Sequence, residues 1–81
     1  MTVYVLSITH RRGCSTEVHA TRAGAVTAGA KWARDRWETV QERRPVILPA
    51  EIPDDDEQAI TQYFSATDDE WCEVDACEVI E

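Results

Sequence analysis

The chain has 81 residues, a formal net charge of −8 and a hydrophobic fraction of 43%. That length makes one domain over residues 1–81, with one core and no room for a deep cofactor pocket beside it, and the ordinary apolar content excludes disorder throughout. No apolar run approaches the roughly 18 residues that a membrane helix needs, and "MTVYVLSITHRR" places its charges after a short apolar stretch, unlike a secretory signal, so the expected localisation is cytoplasmic.

"VYVLSITH" alternates and is rich in β-branched residues, which predicts a first strand with Tyr4, Leu6, Ile8 and His10 on one face. "RRGC" is a turn signal, because Gly13 can take the positive φ that a tight reversal demands. "STEVHA" predicts the second strand. Pairing Ile8 with Val18, Leu6 with Ala20 and His10 with Thr16 gives one mostly apolar and one mostly polar face, so that register is expected.

Thr21 is a candidate N-cap for the helix that follows. Within "RAGAVTAGAKWARDRWETVQ", Val26, Ala30, Ala33, Trp37 and Val40 form one helical stripe. Small residues at the start of this helix suggest close packing on the sheet. Lys31–Asp35 and Arg34–Glu38 have the i, i+4 spacing of helical ion pairs. Pro45, Pro49 and Pro53 then exclude a continuous helix, and Val46, Ile47 and Leu48 are expected to place an apolar knuckle in the core. A second helix should start at "DDDEQAITQYFSAT", with Asp54 as N-cap, Glu57 completing a capping box, and Ile60, Tyr63 and Phe64 as its apolar face. The closing "EWCEVDACEVI" predicts a third strand. A bulge near Asp75–Ala76 would bring Cys72, Val74, Cys77 and Val79 to the same side. The expected fold is α+β: a three-stranded sheet in the order β-β-α-α-β with two helices on one face and the apolar first strand in the centre.

Three cysteines without a C-x-x-C spacing read as reduced thiols, with Cys72 and Cys77 serving as small core hydrophobes. Cys14, Cys72, Cys77, His10 and His19 are the soft candidate ligands, but their spacing does not make a structural zinc site, so no metal and no cofactor is expected. No nucleophile motif accompanies them, which argues against an enzyme. "PDDDEQ" lacks the glycine and spaced acids of an EF-hand loop.

The charges are segregated. Residues 1–50 hold all eight basic side chains and four acids, for +4, while residues 51–81 hold twelve acids and no Lys or Arg, for −12. Arg11, Arg12, Arg43 and Arg44 could touch phosphates, but the overall charge repels a nucleic acid, so no direct nucleic-acid contact is expected. Those arginines could instead pair with the chain's own acids. The acids exceed what capping and solubility require. Asp54, Asp55, Asp56, Glu57, Asp68, Asp69, Glu70, Glu73 and Asp75 are therefore the candidate partner-binding residues, suited to a basic protein surface that otherwise holds nucleic acid.

"YVLSITHRRG", "VHATRAGA", a Trp-bearing helix, "PDDDEQAI" and "EWCEVDACEV" together resemble a group of small phage and mobile-element proteins built as hairpin, helix, second helix and last strand. Some proteins of this kind are anti-CRISPR inhibitors, including inhibitors of type I-C systems. The resemblance implies binding to a Cascade surveillance complex and a block on its engagement of target DNA; no site residue carries over with it. The alternative is an accessory protein acting through self-association or a host-protein contact, with the acids serving solubility. Either a monomer or a weak homodimer is compatible with the sequence.

Overall fold

The computed structural model describes residues 1–67 and 69–80. Its elements are β1 (Thr2–His10), β2 (Gly13–His19), α1 (Arg22–Arg43), α2 (Asp56–Ser65) and β3 (Trp71–Glu78). The sheet order is β2-β1-β3, with both neighbours antiparallel to the central β1. This is the expected α+β fold with β1 in the centre. Leu6 and Ile8 of β1 are buried with Ala25, and Trp32 of α1, Phe64 of α2, and Cys72 and Val74 of β3 pack on them. Both helices therefore cover one sheet face. The principal extents of 48 × 27 × 16 Å leave depth for two layers only.

α1 starts where Thr21 Oγ1 accepts from the Gly24 N–H at 3.0 Å, which satisfies one of the free donors of its first turn. Its expected stripe of Val26, Ala30, Ala33, Trp37 and Val40 is buried throughout. The lower part of that stripe meets Ala59, Tyr63 and Ala66 at α2, and Leu48 from the connecting segment closes this second cluster. Only Leu48 of the apolar knuckle enters the core; Val46 is 97% exposed and Ile47 57%.

Four local expectations are corrected. Arg11 and Arg12 alone make the hairpin turn, and β1–β2 pairs Val5 with Val18, Ser7 with Thr16 and His10 with Gly13. This register lies three residues from the one expected and reverses which face β2 presents. The reason is that β2 turns only Ser15, Glu17 and His19 toward the helices, so no apolar pattern fixes its register and the turn decides it. Gly13, at φ +134°, takes a backbone conformation that other residues avoid.

β3 carries no bulge: its pairing with β1 runs unbroken from Thr2–Glu78 to Thr9–Trp71. Cys77 consequently lies on the face opposite to Cys72 and is exposed, not a core thiol. The cap of α2 is Asp55, whose Oδ2 accepts from the Gln58 N–H at 3.0 Å, one residue after the expected Asp54. Arg34 does not pair with Glu38. It reaches across to Asp56 at 2.7 Å and to the carbonyl oxygens of Pro53 and Asp54, and so ties α1 to the start of α2. The i, i+4 pair Lys31–Asp35 does form, at 3.2 Å. No helix among the described residues is long and apolar enough to cross a membrane.

Candidate functional site

The structure sorts the nine candidate acids by their surroundings. At the start of α2, Asp55 caps the helix, Asp56 accepts from Arg34 and Thr27, and Glu57 pairs with Arg22 at 2.7 Å. The hydrogen bond from the Arg34 guanidinium, aided by Thr27, holds the Asp56 carboxyl below its ordinary range against the opposing effect of desolvation. Asp54 is exposed and contributes its backbone carbonyl to Arg34. Asp69 pairs with Arg11 Nε at 2.6 Å, which likewise lowers its carboxyl pKa. Glu70 accepts from the Tyr63 hydroxyl at 3.0 Å; burial first, and then this bond, push the phenol well above its ordinary pKa. Asp68 lies outside the described residues. Much of the acidity expected to meet a partner thus meets the chain's own arginines and helix start.

Glu73 and Asp75 differ. They project from β3 on the sheet face that no helix covers, opposite Ser7 and Val5. The same face carries Val3, Val5 and Thr9 of β1, Cys14, Thr16 and Val18 of β2, and Trp71 and Cys77 of β3. Trp71 is 54% exposed and Val18 65%. None of these side chains is basic. The face therefore combines a large aromatic, small apolar groups and two carboxylates, with no salt bridge to either carboxylate among the described residues.

A second site forms on the helix side of the sheet, at the hairpin end. The β-turn, the last turns of α1 and the approach to β3 enclose a cleft of about 750 Å³ lined by His10, Arg11, Arg12, Trp32, Arg36, Val40, Arg43, Arg44, Thr67, Asp69 and Glu70. The guanidinium of Arg36 lies 3.3 Å from the centre of the Trp32 ring, and the His10 ring lies 5.2 Å from it. His10 is held by contact with Ser15 Oγ at 3.2 Å. Arg11, Arg12, Arg43 and Arg44, separated by some 30 residues of sequence, all line this one cleft.

No family model matches the chain, and neither does any curated protein or solved structure.

The soft ligands do not converge. Cys72 faces the helices, whereas Cys14 and Cys77 stand on the bare face opposite Thr9 and Val3. Among the described residues no group of three or more His, Cys, Asp or Glu could hold a metal ion. Sequence reasoning missed Trp32, Arg36 and His10 as cleft residues. A signal was present: Trp32, Arg36, Val40 and Arg43 recur at steps of 4, 4 and 3, a second helical stripe beside the apolar one.

Proposed function

We propose that this chain is a non-catalytic binding protein that docks the bare face of its sheet on a basic surface of a protein partner. The observation that carries this reading is the composition of that face: exposed Trp71 and Val18 beside Glu73 and Asp75, with no basic side chain among them. Exposed apolar surface of this kind marks interaction sites, and a tryptophan is a frequent anchor at their centre. The two carboxylates select a partner rich in Arg or Lys, and the −8 net charge speeds the encounter over long range. The acids at the start of α2 then steer the approach without touching the partner.

In the form implied by the family resemblance, the partner is a Cascade-type surveillance complex, and the docked protein occupies the basic path of its target DNA. The test titrates the protein into a purified type I-C surveillance complex and reads binding of the target duplex by gel shift. The parent should abolish duplex binding near stoichiometry. A Trp71→Ala/Glu73→Lys/Asp75→Lys variant with an unchanged circular dichroism spectrum should need at least about tenfold more protein. Equal potency of variant and parent removes the bare face as the site. A parent without effect removes the surveillance complex as the target.

Self-association is the second reading, and the two open sheet edges favour it. Antiparallel pairing of two β3 edges would bring Glu73 and Asp75 against the acids of the second copy, so the β2 edge is the one that suits it. Light scattering at increasing concentration, repeated with Thr16→Pro, tests that edge.

A further inference from the structure

We infer that the arginine cleft at the hairpin end is a binding site for a compact ligand carrying two or more adjacent phosphates, of nucleotide size. The site is separate from the bare sheet face, and its test is independent of the protein partner.

With Arg44 left out of the count, four guanidiniums (Arg11, Arg12, Arg36 and Arg43) face two carboxylates across this cleft, a surplus of two positive charges among these described lining residues. The rest of the chain is strongly acidic, so this surplus is no average property of the surface. Like charges gathered in one cleft repel each other, and an anion removes that repulsion. The donors are also partly fixed before any ligand arrives. The Arg36 guanidinium sits over the Trp32 ring at 3.3 Å, with Nη1 donating to the Trp32 carbonyl oxygen at 3.4 Å. Arg11 donates its Nε–H to Asp69 at 2.6 Å, which holds this guanidinium in the cleft lining. Arg12 and Arg43 have no side-chain salt bridge among the described residues. Guanidinium forks match phosphate oxygens two at a time, which an isolated carboxylate ligand cannot exploit across several arginines at once.

Size and charge together choose a compact ligand over a polymer. A volume near 750 Å³ is in the range of small-molecule sites. A long nucleic acid leaving the cleft would run onto the acidic remainder of the chain, whereas a nucleoside triphosphate or tripolyphosphate stays inside. The partial negative charge at the C-terminal end of α1 opposes an anion, but it amounts to about half a charge, against the surplus of two.

The test is isothermal titration at low salt with tripolyphosphate, ATP, AMP, adenosine and a single-stranded oligonucleotide, read alongside amide chemical shifts. Tripolyphosphate and ATP should bind at least about tenfold tighter than AMP, and adenosine should not bind. Equal affinity for tripolyphosphate and ATP means that phosphates alone are read; tighter ATP binding means that the nucleoside also stacks in the cleft. Both results support the site. Shift changes should gather at Arg11, Arg12, Arg36 and Arg43. Arg36→Ala and Arg43→Glu should each weaken ATP at least about tenfold, while Arg22→Glu, at the opposite end of α1, should leave affinity within about twofold. The inference is overturned if neither polyphosphate binds below about 1 mM, if Arg22→Glu is as damaging as Arg43→Glu, or if the oligonucleotide binds more tightly than tripolyphosphate, which would make the cleft a nucleic-acid path.

Discussion

Trp37 is 1% exposed, and its indole Nε1 donates to the Pro49 carbonyl oxygen at 2.8 Å. One side chain therefore both fills the space between α1 and α2 and fastens the proline-rich connection to the core. Trp37→Phe keeps most of the apolar volume but leaves that carbonyl without its donor and opens a small void. It should cost about 2 kcal/mol, read as a fall of roughly 8–16 °C in unfolding midpoint for a domain of this size. An unchanged midpoint would mean that water replaces the indole N–H at no cost. The burial of Trp37 is legible from its place on the apolar stripe. Its partner is not, because Pro49 is reached only after the chain turns back through Leu48. Arg34 makes the same point with charge. Glu38 is its neighbour by helical spacing, yet Asp56 and two carbonyl oxygens lie within reach once α2 is in place. Three acceptors that α2 brings together outweigh one flexible surface pair worth a few tenths of a kcal/mol.

At the scale of elements, strands differ in how firmly their own sequence positions them. β1 alternates with bulky residues inward, and its faces follow directly from its pattern. β2 has no such pattern, so the two-residue turn at Arg11–Arg12 sets its register and leaves Val18 outward. β3 is apolar on both faces in part, which made a bulge attractive as a way of burying every apolar group. An unbroken ladder to β1 prevails, because a bulge would forfeit backbone hydrogen bonds to hide a cysteine and a valine. Thiol chemistry distinguishes the two arrangements. Cys14 and Cys77 are exposed, while Cys72 is half-buried, and burial, followed by the neighbouring Glu73, pushes its thiol above the ordinary value. Ellman's reagent at mildly alkaline pH should titrate two thiols of the native protein quickly and the third only slowly or after unfolding. A single fast thiol would restore the bulge and turn Cys77 inward. The arginine cleft belongs to this scale as well. It was legible only in pieces, as two dipeptides at distant positions, because the hairpin tip and the end of α1 become neighbours through the packing of α1 across the sheet.

For the molecule as a whole, the segregated charges raise the question of whether the acidic half burdens the fold or is neutralised within it. Repulsion among twelve acids predicts that stability rises as acid removes their charge. The structure argues for the opposite sign. Asp56 is held low by Arg34, Asp69 by Arg11, and Glu78 by the N-terminal ammonium and Thr2. A carboxyl whose folded pKa is depressed binds its proton more readily in the unfolded chain. Its contribution is therefore complete above the unfolded pKa of about 4 and is lost as pH falls through the lower folded value. These bonds also join parts of the chain far apart in sequence: α1 to the start of α2, the hairpin tip to the approach of β3, and the first strand to the last. Protonation should accordingly loosen the contacts between elements before it disturbs the elements themselves. The unfolding midpoint, followed by circular dichroism, should stay level from pH 7 to about 5 and decline below about 4. Arg34→Met should flatten that decline by removing the bond that depresses Asp56. A midpoint that climbs between pH 6 and pH 4 would show that repulsion governs the acidic half. The acids of α2 would then be a cost carried for a partner, not part of the framework that holds the two helices together.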